Sequence, residues 1–115
     1  GLKGHPMRLL NSLLLEGSVT SSPLYTEPTN DRPAAARFLL DAGPDVPAMP
    51  AIAYGRLAAI VRDTLHVDTS VRLVGRLGID SSLDAMTPVV IVVEHVEVKR
   101  SYSPEARAYA EDACS

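Results

Sequence analysis

Apolar and polar residues alternate at several places along the chain with the period of a strand. From residue 9 to 19, apolar side chains occupy mainly odd positions and polar side chains mainly even ones, which predicts a half-buried strand. Gly17 lies inside this segment, and a glycine there commonly marks a bulge or a sharp bend where a small barrel turns its corner. The same alternation in residues 34–40 predicts a second strand, with Phe38 on one face and Arg37 on the other.

Proline and small polar residues separate these segments from a helix. Residues 21–33 are predicted to be a loop, and residues 41–50 a short connection that ends the second strand. A brief third strand at residues 51–54 follows. After Gly55 the apolar spacing becomes that of an amphipathic helix of about three turns. The residues at this spacing are Leu57, Ile60, Val61, Thr64 and Leu65.

Two further strands follow the helix. Alternate apolar residues in 71–79 predict the fourth strand, and residues 80–88 a hairpin-like loop. Residues 89–98 predict a final strand that begins apolar on both faces and therefore needs cover on both sides. Three strands, one helix and two strands match the five-stranded oligonucleotide-binding (OB) barrel, an all-β fold with its helix between strands three and four. The same count also fits another small barrel or an α+β sheet.

A chain of 115 residues holds one domain. We place that domain at residues 8–100, with residues 1–7 as an N-terminal extension or cloning remnant and 101–115 as a C-terminal tail. The single cysteine, Cys114, cannot form an internal disulfide, which favours a reducing, cytoplasmic compartment. The apolar stretches are far shorter than the ~20 residues that cross a bilayer, so no membrane partner is expected.

The net charge and the distribution of charge point in opposite directions with regard to nucleic-acid binding. The net charge of −3 weighs against nucleic-acid binding, since lysine and arginine supply most of the affinity for phosphates. However, the acidic residues lie mostly in predicted loops and near the C-terminus. Four arginines lie in the middle of the chain: Arg37, Arg56, Arg72 and Arg76. Arg72 and Arg76 share the outward face of one predicted strand, so a local phosphate track is possible on an acidic protein.

Catalytic and metal-binding motifs are missing from the sequence. It contains no glycine-rich phosphate loop with lysine, no paired cysteine ligands, no nucleophile elbow and no dinucleotide fingerprint. His95 and Glu97 share one strand face, but two ligands do not make a structural metal site. We therefore expect no enzyme activity, no cofactor and no metal.

Four motifs, in order and with compatible spacing, resemble the bacterial single-stranded DNA-binding protein family. They cover the chain from about residue 8 to 98. They are Asn11 to Val19 with Gly17 and a following Pro23, Ala36-Arg-Phe-Leu-Leu40, Tyr54-Gly-Arg-Leu-Ala58, and Val71-Arg-Leu-Val-Gly-Arg-Leu77. The resemblance implies an OB barrel that binds single-stranded DNA without marked sequence preference, in DNA replication, recombination or repair.

The resemblance also implies site residues and partners. Tyr54 would stack on a base, although it can also be a barrel-edge core residue. The four central arginines would contact phosphates, although Arg56 can also belong to the helix surface. A homodimer or homotetramer is implied, with the first strand pairing across the dimer, and replication proteins are further expected partners. Leu14 and the doubly apolar residues 89–93 would otherwise be exposed in a monomer.

Several positions depart from the family pattern. Where the family stacks bases on aromatic residues, this chain has residues near Ala48 and Ser82. Residues 41–50 are shorter than the family's DNA-gripping hairpin, and residues 111–115 lack its acidic tip. These departures favour an alternative, an OB-fold structural or protein-interaction module with weak or no DNA binding. A second alternative is an enzyme or small-ligand module on a different small barrel, for which the sequence offers no site.

Overall fold

The computed structural model describes residues 10–80 and 88–99. The strands and helix in chain order are β1 (Leu13–Val19), β2 (Leu24–Thr26), β3 (Ala35–Asp41), β4 (Met49–Tyr54), α1 (Arg56–Thr64), β5 (Ser70–Ile79) and β6 (Val89–Val98). The predicted fold class is confirmed: five strands form the barrel, with one helix between the third and fourth of them. Residues 1–7 and 101–115, including Cys114, lie outside the described residues, as does Ser82.

The sheet closes on itself in the order β1-β5-β6-β4-β3-β1. All pairings are antiparallel except that between β4 and β6, which is parallel. β1 makes the closure possible because it pairs with β5 along residues 13–18 and then with β3 through Ser18 and Val19. This closed arrangement of five strands is that of the OB fold.

Gly17 lies where β1 passes from one neighbour to the other. A Cβ atom at this position would lie 2.2 Å from the carbonyl oxygen of Asp41 on β3, so only glycine lets the two backbones approach. At the start of β1, the side-chain amide of Asn11 donates to the carbonyl of Leu77 at 2.9 Å and accepts from its N–H at 2.8 Å. This side chain therefore extends the β1–β5 ladder beyond the backbone pairing.

Strand alternation fills the barrel as the sequence predicts. Phe38 and its inward neighbours on β3 are buried, as are the inward residues of β4, β5 and β6. The helix differs from the prediction in one detail. Ile60, assigned to the apolar face, is 45% exposed, whereas Ala58 is fully buried. The buried helix residues are Ala58 and Val61, followed by Leu65 just after the helix, so the stripe is narrower than the sequence spacing suggests.

The structure also differs from the sequence prediction in an added short strand, in where β4 begins, and in the burial of two residues of β5. The predicted loop 21–33 contains β2, a three-residue strand that pairs with β3 and is too short to show a period in the sequence. The third barrel strand begins at Met49, earlier than predicted, because it pairs with β3 from there. Two apolar residues of β5 that alternation assigns to the core, Leu77 and Ile79, are exposed.

The first half of β6 is buried on both faces, as its doubly apolar sequence predicts. Because this burial occurs within a single chain, the expectation that a monomer would leave residues 89–93 exposed is wrong for residues 90–93. Val90 and Val92 join Ala35 and Ile52 in a second apolar cluster, separate from the barrel core. Outward residues of β3, β4 and β6 therefore form a largely apolar wall. No helix within residues 10–80 or 88–99 has the length and apolar character that a membrane span requires.

Candidate nucleic-acid interface

A row of outward residues crosses four strands of the barrel wall. Arg76 on β5 lies opposite Val92 on β6, Val92 opposite Ile52 on β4, and Ile52 opposite Arg37 on β3. We call Arg76, Val92, Ile52 and Arg37 the outer row. Because neighbouring strands lie about 4.8 Å apart, the two arginine backbones are separated by roughly 15 Å, with apolar side chains between them. Val92 and Ile52 are themselves buried, so a flexible chain on this wall would contact the arginines at its two ends rather than these two residues.

The two arginines of the outer row differ in their charge partners. Arg37 donates from Nε to Oδ2 of Asp80 at 2.7 Å, and the Asp80 side chain is only 7% exposed. This hydrogen bond and the charge of Asp80 raise the pKa of Arg37 against the opposing effect of burial. Arg76 is exposed and takes part in no ion pair found among residues 10–80 and 88–99.

Asp80 is the site residue that sequence reasoning missed. It follows β5 directly, and its backbone N–H donates to the carbonyl of Pro88 at 2.9 Å, which draws the two ends of the predicted loop 80–88 together. Its side chain also has an interaction besides the one with Arg37. The sequence signals only an acidic residue in a loop, because the contact with Arg37 joins positions far apart in the chain.

Two grooves flank the Arg37–Asp80 pair, and both residues line each of them. The polar groove, of about 400 Å³, extends toward the end of β4; its other lining residues include Thr26, Thr29, Arg32, Ala35 and Tyr54. The apolar groove, of about 320 Å³, extends the opposite way; its other lining residues include Leu24, Leu39, Pro50 and Val90. The ion pair therefore forms the boundary between a polar and an apolar depression.

Tyr54 borders the polar groove and is 42% exposed. It ends β4 opposite Ala35, and the next residue, Gly55, has φ 63° and ψ −133°. That backbone conformation favours glycine, and the N–H of Gly55 donates to the carbonyl of Ala34 at 2.8 Å. The sharp change of direction lets α1 begin at once while the Tyr54 ring stays at the strand end. The sequence motif around Tyr54 thus has a local structural cause.

Arg72 has different surroundings from Arg76. Its Nη2 donates to Oε1 of Glu16 at 3.3 Å, and Lys99 also donates to Glu16, while Glu97 lies opposite Arg72 on β6. We call Glu16, Arg72, Glu97 and Lys99 the ion-paired patch. The hydrogen bond from Lys99, with the positive charges of Lys99 and Arg72, lowers the pKa of Glu16. The positive charges of Arg72 and Lys99 are therefore already compensated by a carboxylate in the protein itself.

Neither Arg56 nor Tyr25 belongs to the lining of the two grooves. Arg56 is the first residue of α1, is exposed, and lines neither groove. The ring of Tyr25 packs against the barrel core, with the guanidinium of Arg62 4.4 Å from its centroid. Tyr25 therefore packs against the barrel, and less of its ring is open to a base.

Of the five predicted site residues, the structure brings together Arg37 and Tyr54 on the polar groove and places Arg76 on the same wall. Arg72 lies in the ion-paired patch and Arg56 on the helix. His95 and Glu97 contact each other at 3.1 Å. Within the part of the chain that the structure describes, no group of three or more His, Cys, Asp or Glu side chains is arranged to hold a metal.

Comparison with known proteins supports the fold. Among solved structures, the chain is similar to the crystal structure of the SSB domain of a protein from Synechococcus sp., with a TM-score of 0.66 and 20% sequence identity. The match covers 80% of this chain and 99% of that one. No protein-family model and no curated protein matches the sequence. The likeness supports the OB barrel as the fold of this chain, and the outer wall of that barrel carries both grooves.

Proposed function

We propose that this protein binds single-stranded DNA on the outer wall of its barrel, with little dependence on sequence for most of its affinity, in replication, recombination or repair. The observation that carries the proposal is the barrel wall formed by β3 to β6, which presents Arg76, a cation with no ion-pair partner among the described residues, and the exposed ring of Tyr54. The SSB-domain fold supports it. Single strands are bound in this way by cations that follow the backbone and by rings that stack on bases.

The predicted residues contribute unequally to the proposed binding. Arg76 contacts phosphate, because its charge is exposed and no described carboxylate compensates it. Tyr54 stacks on a base at the polar groove, and Leu39 and Pro50 provide apolar contacts for a neighbouring base. Arg72 and Arg56, also predicted as contacts, lie farther from these grooves, so we assign them smaller contributions.

The net charge does not conflict with this assignment. Glu16 and Glu97 lie in the ion-paired patch, on the part of the barrel wall formed by β1, β5 and the end of β6. Association depends on the local potential where the ligand lies as well as on the net charge. An acidic protein can therefore bind a polyanion through stacking and through cations that, like Arg76, have no ion-pair partner among the described residues, but with modest affinity.

Fluorescence anisotropy of a labelled oligo(dT) of about 16 nucleotides tests the proposal. We expect binding that weakens as salt is raised from low to moderate concentration, because phosphate contacts release counterions. No binding at micromolar protein in low salt would contradict the proposal. A double-stranded oligonucleotide of the same length serves as the control, since its bases are not available for stacking.

We also propose that a second copy of the chain pairs with β1. Among the described residues, β1 pairs on one edge with β5, whereas its other edge pairs with β3 only at Ser18 and Val19. Leu14, outward on this strand, is 67% exposed. An open edge beside an exposed leucine favours strand addition. Sedimentation equilibrium should show a dimer or tetramer that weakens in Leu14→Lys, and a monomer at all concentrations would contradict the assignment.

A protein-interaction role is the second candidate. The apolar groove favours it, because Leu24 and Leu39 are exposed beside Pro50 and offer a surface suited to an apolar side chain. The anisotropy titration separates the candidates, since a pure interaction module would leave oligo(dT) unbound. In that case the barrel would serve as a scaffold for another protein.

A further inference from the structure

The Arg37–Asp80 pair lies at one end of the outer row, between the two grooves of the proposed interface, but is poorly suited to bind a phosphate. The Asp80 carboxylate compensates the charge of Arg37 and is itself held in place, buried at the boundary of both grooves. A phosphate that approached Arg37 would meet this fixed negative charge at close range. Little net charge is therefore left to attract an anion or to release counterions.

The pair leaves part of Arg37 available for another kind of contact. The guanidinium has five N–H donors, and only Nε–H is used in the hydrogen bonds found among the described residues. The Arg37 side chain is 33% exposed. Since Nε is held by Asp80, the terminal Nη1 and Nη2 groups are oriented and still able to donate. A planar fork fixed in this way matches a ligand with two neighbouring acceptors.

The surroundings favour a base as that ligand. Ile52 lies directly opposite Arg37, and Leu39 and Pro50 line the apolar groove beside it. A base offers an apolar face to such a groove and polar atoms at its edge. A phosphate has no apolar face, and moving its charge out of water costs free energy. Among the bases, guanine presents two adjacent acceptors, O6 and N7, which arginine contacts with both ends of its fork.

We propose that the Arg37–Asp80 pair is a base-reading element that gives this barrel a preference for guanine at one position of the bound strand. The inference rests on the proposed function, since the strand must lie on the outer wall. Arg76 supplies sequence-independent attraction, and Arg37 supplies discrimination. Asp80 is a positioning residue, which orients the guanidinium and suppresses its attraction for phosphates.

The test compares three labelled strands of equal length: oligo(dT), the same strand with a few central guanines, and that strand with 7-deazaguanine, which lacks the N7 acceptor. We expect the wild-type protein to bind the guanine strand about fivefold or more tightly than the other two. If oligo(dT) binds and all three affinities are equal, the inference is wrong and the proposed function stands. If no strand binds, both fail.

Two variants identify the source of the preference. Arg37→Ala/Asp80→Asn removes both charges of the pair at once. It should abolish discrimination with little change in the salt dependence of oligo(dT) binding, because the pair carries no net charge, and it leaves no buried carboxylate beside an empty position. Arg37→Ala alone should also abolish discrimination, but the Asp80 charge is then no longer balanced by Arg37, so binding of all three strands should weaken as well. A uniform loss of affinity in the double variant, with a weaker salt dependence, would identify Arg37 as a phosphate contact and overturn the inference.

Asp80→Asn tests the positioning role separately. Removing the carboxylate charge should uncover the cation, so that binding to oligo(dT) strengthens and the slope of log affinity against log salt steepens by about 0.7. The guanine preference should fall at the same time, since the fork is no longer fixed. Asp63→Asn is the matched control, because Asp63 forms an exposed ion pair with Arg62 on the helix, away from the grooves. Unchanged slope and unchanged preference in Asp80→Asn would contradict this role.

Discussion

Arg72 and Arg76 lie on the outward face of β5, but the two ends of that strand face different neighbours. Arg72 lies between Glu16 on β1 and Glu97 on β6, within the ion-paired patch. Arg76 lies beside Val92, at the edge of an apolar wall with no described ion-pair partner. On the same strand, the charge of Arg72 is therefore compensated by a carboxylate, whereas the charge of Arg76 can attract a ligand. A count of arginines cannot separate these cases, whereas the cross-strand register does.

The largest expected effect comes from Gly17, because both regions depend on barrel closure. In Gly17→Ala the added Cβ would meet the Asp41 carbonyl at 2.2 Å, and backbone cannot move as a side chain does. We expect the free energy of unfolding to fall by about 3 kcal/mol, measured by urea denaturation. Gly78→Ala is the control, because its Cβ would meet only a methyl group of Val92, which can rotate at a cost of about 1 kcal/mol. Equal stability of the two variants would contradict the closure argument.

The next largest effect is expected at Tyr54, the exposed aromatic residue of the outer wall. Tyr54→Ala should weaken binding of oligo(dT) by about 1–3 kcal/mol, since one stacking platform is removed. Tyr54→Phe keeps the ring and should retain nearly all of the affinity. Anisotropy titrations at one salt concentration suffice. If alanine and phenylalanine behave alike, Tyr54 is an edge residue of the barrel and takes no part in binding.

Single arginine variants test whether ion pairing makes Arg72 and Arg76 differ in DNA binding. Arg76→Ala should lower the affinity for oligo(dT) and reduce the salt slope by about 0.7, because one phosphate contact is lost. Arg72→Ala should change both quantities much less, since its charge is already shared with Glu16. Thermal unfolding checks that each variant folds. An equal loss in both variants would show that ion pairing does not distinguish the two ends of β5.

The smallest expected effect is a pH dependence in the ion-paired patch. The pKa of Glu16 is lowered from its ordinary value of 4.5, chiefly by the hydrogen bond from Lys99. A carboxylate with a lowered pKa in the folded state stabilises the fold above the unfolded pKa, and that contribution is lost as pH falls through the folded pKa. The difference in stability between wild type and Glu16→Gln should therefore be present at pH 7 and shrink below about pH 4.5. A difference that does not change with pH would exclude the ion pair as its cause.

Much of the fold could be predicted because strand alternation and helical spacing are local. The final strand, Val89–Val98, matches its prediction at both ends, and the double burial of its first half is confirmed. The sequence does not predict the short strand β2, because three residues are too few to show a period. It assigns Ile60 to the buried face of the helix, because the helical spacing fits either Ile60 or Ala58 on that face. Alternation predicts a core position for Leu77 because it gives the face of a side chain but not what covers that face; β5 pairs with β6 as far as Ile79 but with β1 only as far as Gly75.

The candidate site was predictable only in part. Tyr54 could be singled out because Gly55 follows it and fixes a sharp turn within the motif. Arg37 and Arg76 could be placed on outward faces, but their different roles depend on what lies across from them. Asp80 carried no signal, since its pairing with Arg37 is made by folding. The grooves on either side of that pair likewise depend on strands that meet only in the barrel.

The sequence by itself determined the number of barrel strands, the place of the helix and the inward set of side chains, since each follows from the repeat distance of local backbone structure. The tertiary structure decided which charges are compensated, where the apolar wall is buried, and which residues share a groove. These properties depend on the register between strands distant in the chain. Electrostatic attraction is strongest at contact and weakens with distance, so a change of neighbour changes what an arginine can bind.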